Sequence, residues 1–366
     1  MGFACGFVGL PNVGKSTLFN ALCKGGAVAA NFPFCTIEPN TGIVPVPDPR
    51  LDVLAKIEKS ARIVPTTMKF IDIAGLVEGA SQGQGLGNKF LGNIRNVDAV
   101  AHVVRLFTDD DVVHVGGSVN PSRDLELILT ELMLADLDLL QKRLDHGKKA
   151  LRSGDPDLKI EVELITSFIK QLENGERPSY DTADEKQSQI AKELQLLTLT
   201  PAFVCANTDE EAFHEFGKSD LSKELIATAA KHGMQVVPVC AKLEEELAQL
   251  SAEDAKVFLE DLGVTESGLE RVINMGYSLL DYITFFTTGT DETRAWTVTR
   301  NALAPQAAGK IHTDMERGFI RMEVESYDDL VQYGSWNAAK EAGKLRIEGK
   351  EYVVQDGDCV FIRFNV

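Results

Sequence analysis

Long apolar runs, paired cysteines and excess positive charge are all missing from this 366-residue sequence, and each absence removes a class of protein. No stretch approaches the roughly 20 apolar residues that cross a bilayer, and Met1-Gly2-Phe3 places no basic segment ahead of an apolar one. Membrane insertion and secretion are therefore not expected. The six cysteines (Cys5, Cys23, Cys35, Cys205, Cys240, Cys359) are scattered, with no Cys-x-x-Cys spacing, which argues against a disulfide framework or a zinc ribbon. They read as small thiols in a reducing compartment, hence a cytoplasmic protein. Basic residues number 37 against 55 acidic ones, a net charge of -18. A surface of that sign repels polyanions at long range, so a general nucleic-acid coat is excluded. The deficit is uneven: residues 1–121 carry 10 basic and 10 acidic side chains, whereas residues 201–277 carry 6 and 15. Contact with RNA would need a local basic patch.

What is present is an ordinary globular composition, 44% hydrophobic, long enough for two to three domains. Continuous apolar runs at Phe3–Val8, Met68–Ile73, Ala99–Leu106, Ala202–Ala206 and Gln235–Cys240 read as buried strands of a parallel sheet. Helical stretches between several of them, starting with Ser16–Cys23, make βαβ units, so the fold class is a doubly wound α/β sheet. That pattern breaks at about Arg123. Leu125, Leu129, Met133, Leu137, Leu140 and Leu144 recur at helical spacing, and so do Leu158, Val162, Ile165, Ile169 and Leu172 beyond the turn Ser153-Gly154-Asp155-Pro156-Asp157. Two amphipathic helices joined by such a turn form an antiparallel α-helical hairpin, and a third helix over roughly Ala183–Leu197 returns the chain to the sheet. Lys142, Arg143, His146, Lys148, Lys149 and Arg152 make the hairpin tip basic within an otherwise acidic segment. From about Ser278 short Thr- and aromatic-rich strands, Tyr352–Val354 among them, surround one helix over Tyr327–Ala342, a small α+β domain. The expected division is 1–122 plus 200–277, an insertion at 123–199, and a last domain at 278–366.

Gly9-Leu10-Pro11-Asn12-Val13-Gly14-Lys15-Ser16-Thr17 fits G-x-x-x-x-G-K-[ST] between an expected strand and an expected helix. In such a P-loop the backbone amides and helix N-terminus cradle phosphate, Lys15 supplies a point charge and Ser16 a hydroxyl for Mg²⁺. Asn12, Val13, Gly14, Lys15, Ser16 and Thr17 are thus the nucleotide-binding candidates. Further along, Thr36 is placed to reach Mg²⁺ when a γ-phosphate is present. Asp72-Ile73-Ala74-Gly75 ends a strand, where Asp72 would hold the metal and the Gly75 amide would sense the γ-phosphate. Gly75, Gly79, Gly83, Gly85 and Gly87 make the following stretch cheap to reorder. The glutamine that orients water in Ras-like enzymes is replaced by Leu76, so turnover is slow or another group positions the water. Gln82, Gln84 and His114 are the candidates, and Asn12 can help hold a K⁺ ion against the phosphates.

Guanine is read in such proteins by Asn-Lys-x-Asp. Here the element is Asn207-Thr208-Asp209-Glu210, which loses the lysine stem and displaces the carboxylate by a methylene. An unpaired buried group costs about 1–3 kcal/mol, so guanine preference should vanish. ATP is the expected ligand, with Asn207 and Glu210 at the base and Val239-Cys240-Ala241-Lys242 closing over it.

The P-loop run, Asn31-Phe32-Pro33-Phe34-Cys35-Thr36-Ile37-Glu38-Pro39-Asn40 and Asp72-Ile73-Ala74-Gly75-Leu76-Val77 together resemble the YchF, or Obg-like ATPase, family over the whole chain. The resemblance implies a translation-factor-related P-loop ATPase with an Obg-type nucleotide domain, a helical insertion and a C-terminal ubiquitin-like TGS domain. It further implies a cytoplasmic, Mg²⁺-dependent enzyme that binds the ribosome, at its large subunit, through the hairpin, the TGS domain or both, with RNA contact at the basic tip Lys142–Arg152. It strengthens His114 as a hydrolysis residue beside Lys15 and Gly75, and it accounts for Leu76 and Glu210. Two other readings remain open from the residues: a GTPase in which Glu210 still reads guanine, and an ATP-gated adaptor whose hydrolysis is incidental. A Lys15 substitution separates the latter, since an adaptor would keep its partner while losing turnover.

Overall fold

The computed structural model describes residues 3–29, 40–73, 86–109, 117–150, 156–264 and 266–365. Packing divides the chain into two units, Met1–Ile43 with Lys69–Val272, and Val44–Met68 with Ile273–Val366. In chain order the elements up to the helical insertion are β1 (Ala4–Val8), α1 (Lys15–Ala29), β2 (Thr41–Pro45), α2 (Pro49–Glu58), β3 (Ile63–Val64), β4 (Thr67–Asp72), α3 (Leu86–Arg95) and β5 (Ala99–Arg105). There follow α4 (Pro121–Ala150), α5 (Pro156–Glu173), α6 (Glu185–Leu194), a 3₁₀ turn (Leu197–Leu199), β6 (Ala202–Asn207), α7 (Glu210–His214), α8 (Asp220–Lys231), β7 (Val236–Val239), α9 (Ala241–Leu247), α10 (Ala252–Asp261) and α11 (Gly268–Leu279).

The first sheet runs β2-β4-β1-β5-β6-β7, with β1 parallel to both β4 and β5, and β6 parallel to β5 and β7. Every residue of β1 and β5 is buried, the signature of strands covered on both faces. The chain leaves β1 toward β4 on one side and returns to β5 on the other. A crevice therefore opens at the carboxyl end of β1, the switch point where ligands of such sheets bind.

The expected boundary at residue 122 is not a break in the structure. α4 is one helix of 30 residues, about 45 Å long at 1.5 Å per residue. Near its start Leu125 packs with Val104, Val204 and Leu225 over the sheet. Farther along, Met133 and Leu140 pack with Ile165, Phe168 and Leu172 of α5 and Ala191 and Leu194 of α6. The third helix is shorter than expected: Asp184 caps its start by accepting from the Lys186 and Gln187 amides, and Gln195 ends it in a left-handed conformation.

The second unit adds β8 (Tyr282–Thr287), β9 (Thr293–Thr299), α12 (Ala304–Ile311), α13 (Thr313–Arg317), β10 (Phe319–Ser326), α14 (Tyr327–Tyr333), α15 (Trp336–Glu341), β11 (Arg346–Glu348) and β12 (Asp358–Phe364). Its mixed sheet runs β11-β10-β12-β8-β9-β3. Met322, Val324, Val360 and Ile362 pack with the alanines of α12 on one face. Phe286, Ala295 and Cys359 lie with Leu51 and Leu54 of α2, Leu330 and Ala339 on the other. Residues 44–68, which the sequence division gives to the first domain, thus complete this unit through α2 and β3. The single helix expected over Tyr327–Ala342 is two helices. Gly334, at φ 75°, ends α14, and Ser335 caps α15 by accepting from the Ala338 amide at 3.2 Å. The strand expected at Tyr352–Val354 is reduced to a bridge between Val353 and Leu303.

Candidate functional site

The loop after β1 has the backbone a phosphate cradle needs. Asn12 and Gly14 take positive φ values of 63° and 86°, turning the chain sharply before Lys15 opens α1. A side chain at Gly9 would bring its Cβ to 2.6 Å from the Val103 carbonyl oxygen, and one at Gly14 would overlap the Asn207 amide. Close approach therefore requires glycine at both positions, and at Gly14 the left-handed backbone requires it as well.

Parallel pairing of β1 with β4 sets Phe7 beside Asp72, two residues before the loop begins. Lys15 forms an ion pair with Asp72 Oδ1, and Ser16 Oγ donates to Asp72 Oδ2 at 3.0 Å. Lys15 is 8% exposed, so its charge is held in a shielded position facing that carboxylate. An ammonium, a hydroxyl and a carboxylate thus converge at one point of the crevice. The donor set fits Mg²⁺, which takes one or two protein oxygens and completes its octahedron with water and phosphate. No group of three or more His, Cys, Asp or Glu side chains forms a protein-only metal cage among the described residues. Val13 is buried, Thr17 half-buried and Asn12 exposed.

Asn207, buried at the end of β6, ties the neighbouring loops together. Its Nδ2 donates to the Val13 carbonyl at 2.9 Å, and its Oδ1 accepts from the Ala241 amide at 3.1 Å. Its own carbonyl accepts from the Leu106 amide at 2.7 Å. The amide assigned to the base from sequence is thus also a brace, with one N–H and one lone pair remaining. Thr208 is turned inward, its amide donating to the Val239 carbonyl at 2.8 Å. Asp209 caps α7 by accepting from the Ala212 amide at 2.8 Å, and Glu210, exposed in the first turn of α7, makes no hydrogen bond among the described residues.

Lys15, Ser16 and Asp72 are therefore brought together, with Asn207 against the loop and Glu210 outside that set. Thr36, Gly75 and His114, with Leu76, Gln82, Gln84 and part of the basic tip (Arg152), lie outside the described residues. Sequence reasoning missed Arg105, which is 2% exposed at the end of β5. The one available signal was a charged residue inside the largely apolar run Ala99–Leu106.

Comparison with known proteins points one way. A family model described as a 50S ribosome-binding GTPase matches residues 4–134, and a C-terminal model named for YchF GTPases, described as a protein of unknown function, matches residues 282–365. Proteins named ribosome-binding ATPase YchF are 54% identical in Haemophilus influenzae and 48% identical in Bacillus subtilis, each alignment covering 100% of both chains. The solved structure of the Schizosaccharomyces pombe YchF GTPase is similar at 37% identity with a TM-score of 0.89, over 99% of this chain and 97% of that one.

Proposed function

The chain belongs to the YchF family, and on that footing we propose that it is a P-loop ATPase working at the ribosome, binding ATP with Mg²⁺ and hydrolysing it slowly to ADP and phosphate. The convergence of Lys15, Ser16 and Asp72 at the mouth of a phosphate-cradling loop is the observation that carries this reading. Lys15 neutralises charge on the β- and γ-phosphates, and the loop amides before α1 orient them. Ser16 and Asp72, with Thr36, hold Mg²⁺, which when bound supplies Lewis-acid charge stabilisation to the transferring phosphoryl group. Gly75 senses the γ-phosphate, His114 takes the water-positioning role that Leu76 cannot, and Asn12 helps to hold a K⁺ ion.

The base preference rests on the loop after β6. Asp209 is occupied as a helix cap, and Glu210 stands exposed in a helical turn, so this loop presents no fixed carboxylate for the two-point contact with guanine. The N–H and lone pair that Asn207 keeps beyond its bonds to Val13 and Ala241 can serve adenine instead. Cytoplasmic location, large-subunit contact and RNA contact at the hairpin tip belong to the same proposal. No helix among the described residues is long and apolar enough to cross a membrane. Titrating the protein with ATP and GTP side by side in Mg²⁺ tests it. Tenfold or greater preference for ATP is expected, preference for GTP would restore the GTPase reading with Glu210 on guanine, and binding of neither would overturn the site.

A further inference from the structure

Arg105 is the largest almost completely buried side chain among the described residues, and it lies at the carboxyl end of β5, under the crevice. Its flanking strand residues Val103 and Val104 are fully buried and apolar. Burying a guanidinium in such a place costs several kcal/mol unless its donors are used, on the order of the penalty for any buried ion. They are used on the loop that follows. Nε donates to the Phe107 carbonyl and Nη2 to the Asp109 carbonyl, both at 3.1 Å. The guanidinium carbon also lies 4.3 Å from the centroid of the Phe107 ring. One side chain thus closes the backbone of residues 106–109 at two points and seats its aromatic ring. A planar fork can do this, whereas lysine, a point donor, cannot bridge both carbonyls in the same plane.

The loop so held borders the P-loop. Leu106 is bonded to the Asn207 backbone, whose side chain grips Val13. The edge of the Phe107 ring, at Cε1, comes within 3.8 Å of where a Cβ on Gly14 would stand. Gly14 is the turn that aims the loop amides at phosphate, so a shift of residues 106–109 reaches that turn through one ring and one amide.

We propose that Arg105 is a positioning residue for the nucleotide site: it fixes residues 106–109 as a wall against Gly14 and Asn207, and nucleotide affinity depends on that wall. The proposal rests on the reading of this crevice as a nucleotide site, but not on which base is preferred. It predicts a binding effect rather than a chemical one, because Arg105 acts through the loop and is itself buried.

The test is Arg105→Lys in the full chain, with Mg²⁺-ATP and Mg²⁺-GTP affinity measured by calorimetry beside single-turnover hydrolysis at saturating nucleotide. Kd for the preferred nucleotide should rise about tenfold, with the single-turnover rate within about threefold of the parent. Unchanged Kd in a folded variant overturns the proposal, even if thermal stability falls, because a merely structural arginine would move stability alone. An equal loss in Kd and single-turnover rate also overturns it, placing Arg105 in the chemistry. If Arg105→Lys does not fold, Phe107→Leu removes the seated ring while leaving both carbonyl acceptors, and an unchanged Kd there is equally fatal. Failure of the parent chain to bind either nucleotide overturns the reading of the site and the inference together. A parent chain that prefers GTP overturns only the choice of base, and the rise is then sought in Kd for GTP.

Discussion

Asp72 has two partners on opposite errands. Its carboxylate neutralises Lys15 and accepts from Ser16, and both of those groups are wanted by the phosphates and Mg²⁺ of the proposed ligand. Replacing Asp72 with Asn removes the metal-attracting charge while keeping shape. Turnover should fall at least about tenfold, and ATP affinity should lose most of its dependence on Mg²⁺, measured by titration with and without the metal. A variant whose affinity still tightens normally with Mg²⁺ would remove Asp72 from the metal site. Glu244 presents a different electrostatic problem. It is buried on α9, the helix whose first amide is held by Asn207, and it accepts from the Gly268 amide at 2.7 Å, joining α9 to the start of α11. Burial pushes its carboxyl up to about 7 from 4.5, against the pull of that amide. The native chain therefore keeps the proton through a range in which the unfolded chain gives it up, so stability falls as pH climbs from 4.5 toward 7. Above pH 7 the native state carries the whole penalty, about 3 kcal/mol at ~1.4 kcal/mol per unit. Glu244→Gln keeps an acceptor for Gly268 and never ionises. Its melting temperature should exceed the parent's at pH 8 by about 5 °C and match it at pH 4.5, by calorimetry at both pH values.

At the scale of elements, the root of the helical insertion is one 3₁₀ turn gripped from both ends. Asp136 of α4, wholly buried, accepts from the Leu197 amide at 3.0 Å, the Thr198 amide at 2.9 Å and the Thr198 hydroxyl at 2.7 Å. Arg177 donates to the carbonyls of Thr198, Leu199 and Thr200 at 2.7, 3.1 and 3.2 Å. Asp136→Ala leaves three donors without their acceptor and should cost about 2–4 kcal/mol. Hydrogen exchange at the Leu197 and Thr198 amides checks this. Protection should drop there first, and unchanged protection would mean the turn is held by packing. This joint also marks where legibility ended. The P-loop and Asp72 could be read because fixed motif spacing on a buried strand leaves few alternatives. The strands of the first sheet could be read because burial on both faces makes their apolar runs continuous. The continuity of α4 could not, since an amphipathic helix shows its stripe but not that successive turns serve a sheet and then a hairpin. The pairing of α2 and β3 with β9 and its neighbours was hidden for a related reason. Leu51 and Leu54 announce an apolar face, and nothing local names the partner more than 200 residues away. Likewise, the left-handed Gly334 splits a helix whose apolar pattern runs straight through it.

For the molecule as a whole, the unresolved tension is between a net charge of -18 and a polyanionic partner. Long-range attraction is unavailable, so the proposed RNA contact would rest on a short-range basic patch, and the structure narrows the one that the sequence offers. Lys142 is paired with Asp138 at 2.6 Å, and Arg143 with Glu161 at 2.7 Å, which takes two of the six tip residues out of simple competition for phosphate. Lys148 and Lys149, exposed in the last turn of α4, make no ion pair among the described residues. They also sit where a helix C-terminus favours cations without satisfying them. Each phosphate contact contributes roughly 0.7–0.9 to the slope of log affinity against log salt. Changing Lys148 and Lys149 together to Glu should therefore weaken ribosome co-sedimentation at low salt and flatten that slope by about 1.4 to 1.8. ATP affinity should not move, because the substitutions lie on the hairpin rather than at the sheet's crevice. Full co-sedimentation with an unaltered slope would place the ribosome contact elsewhere on the chain. A lost interaction with an unaltered slope would mean that Lys148 and Lys149 meet protein rather than phosphate.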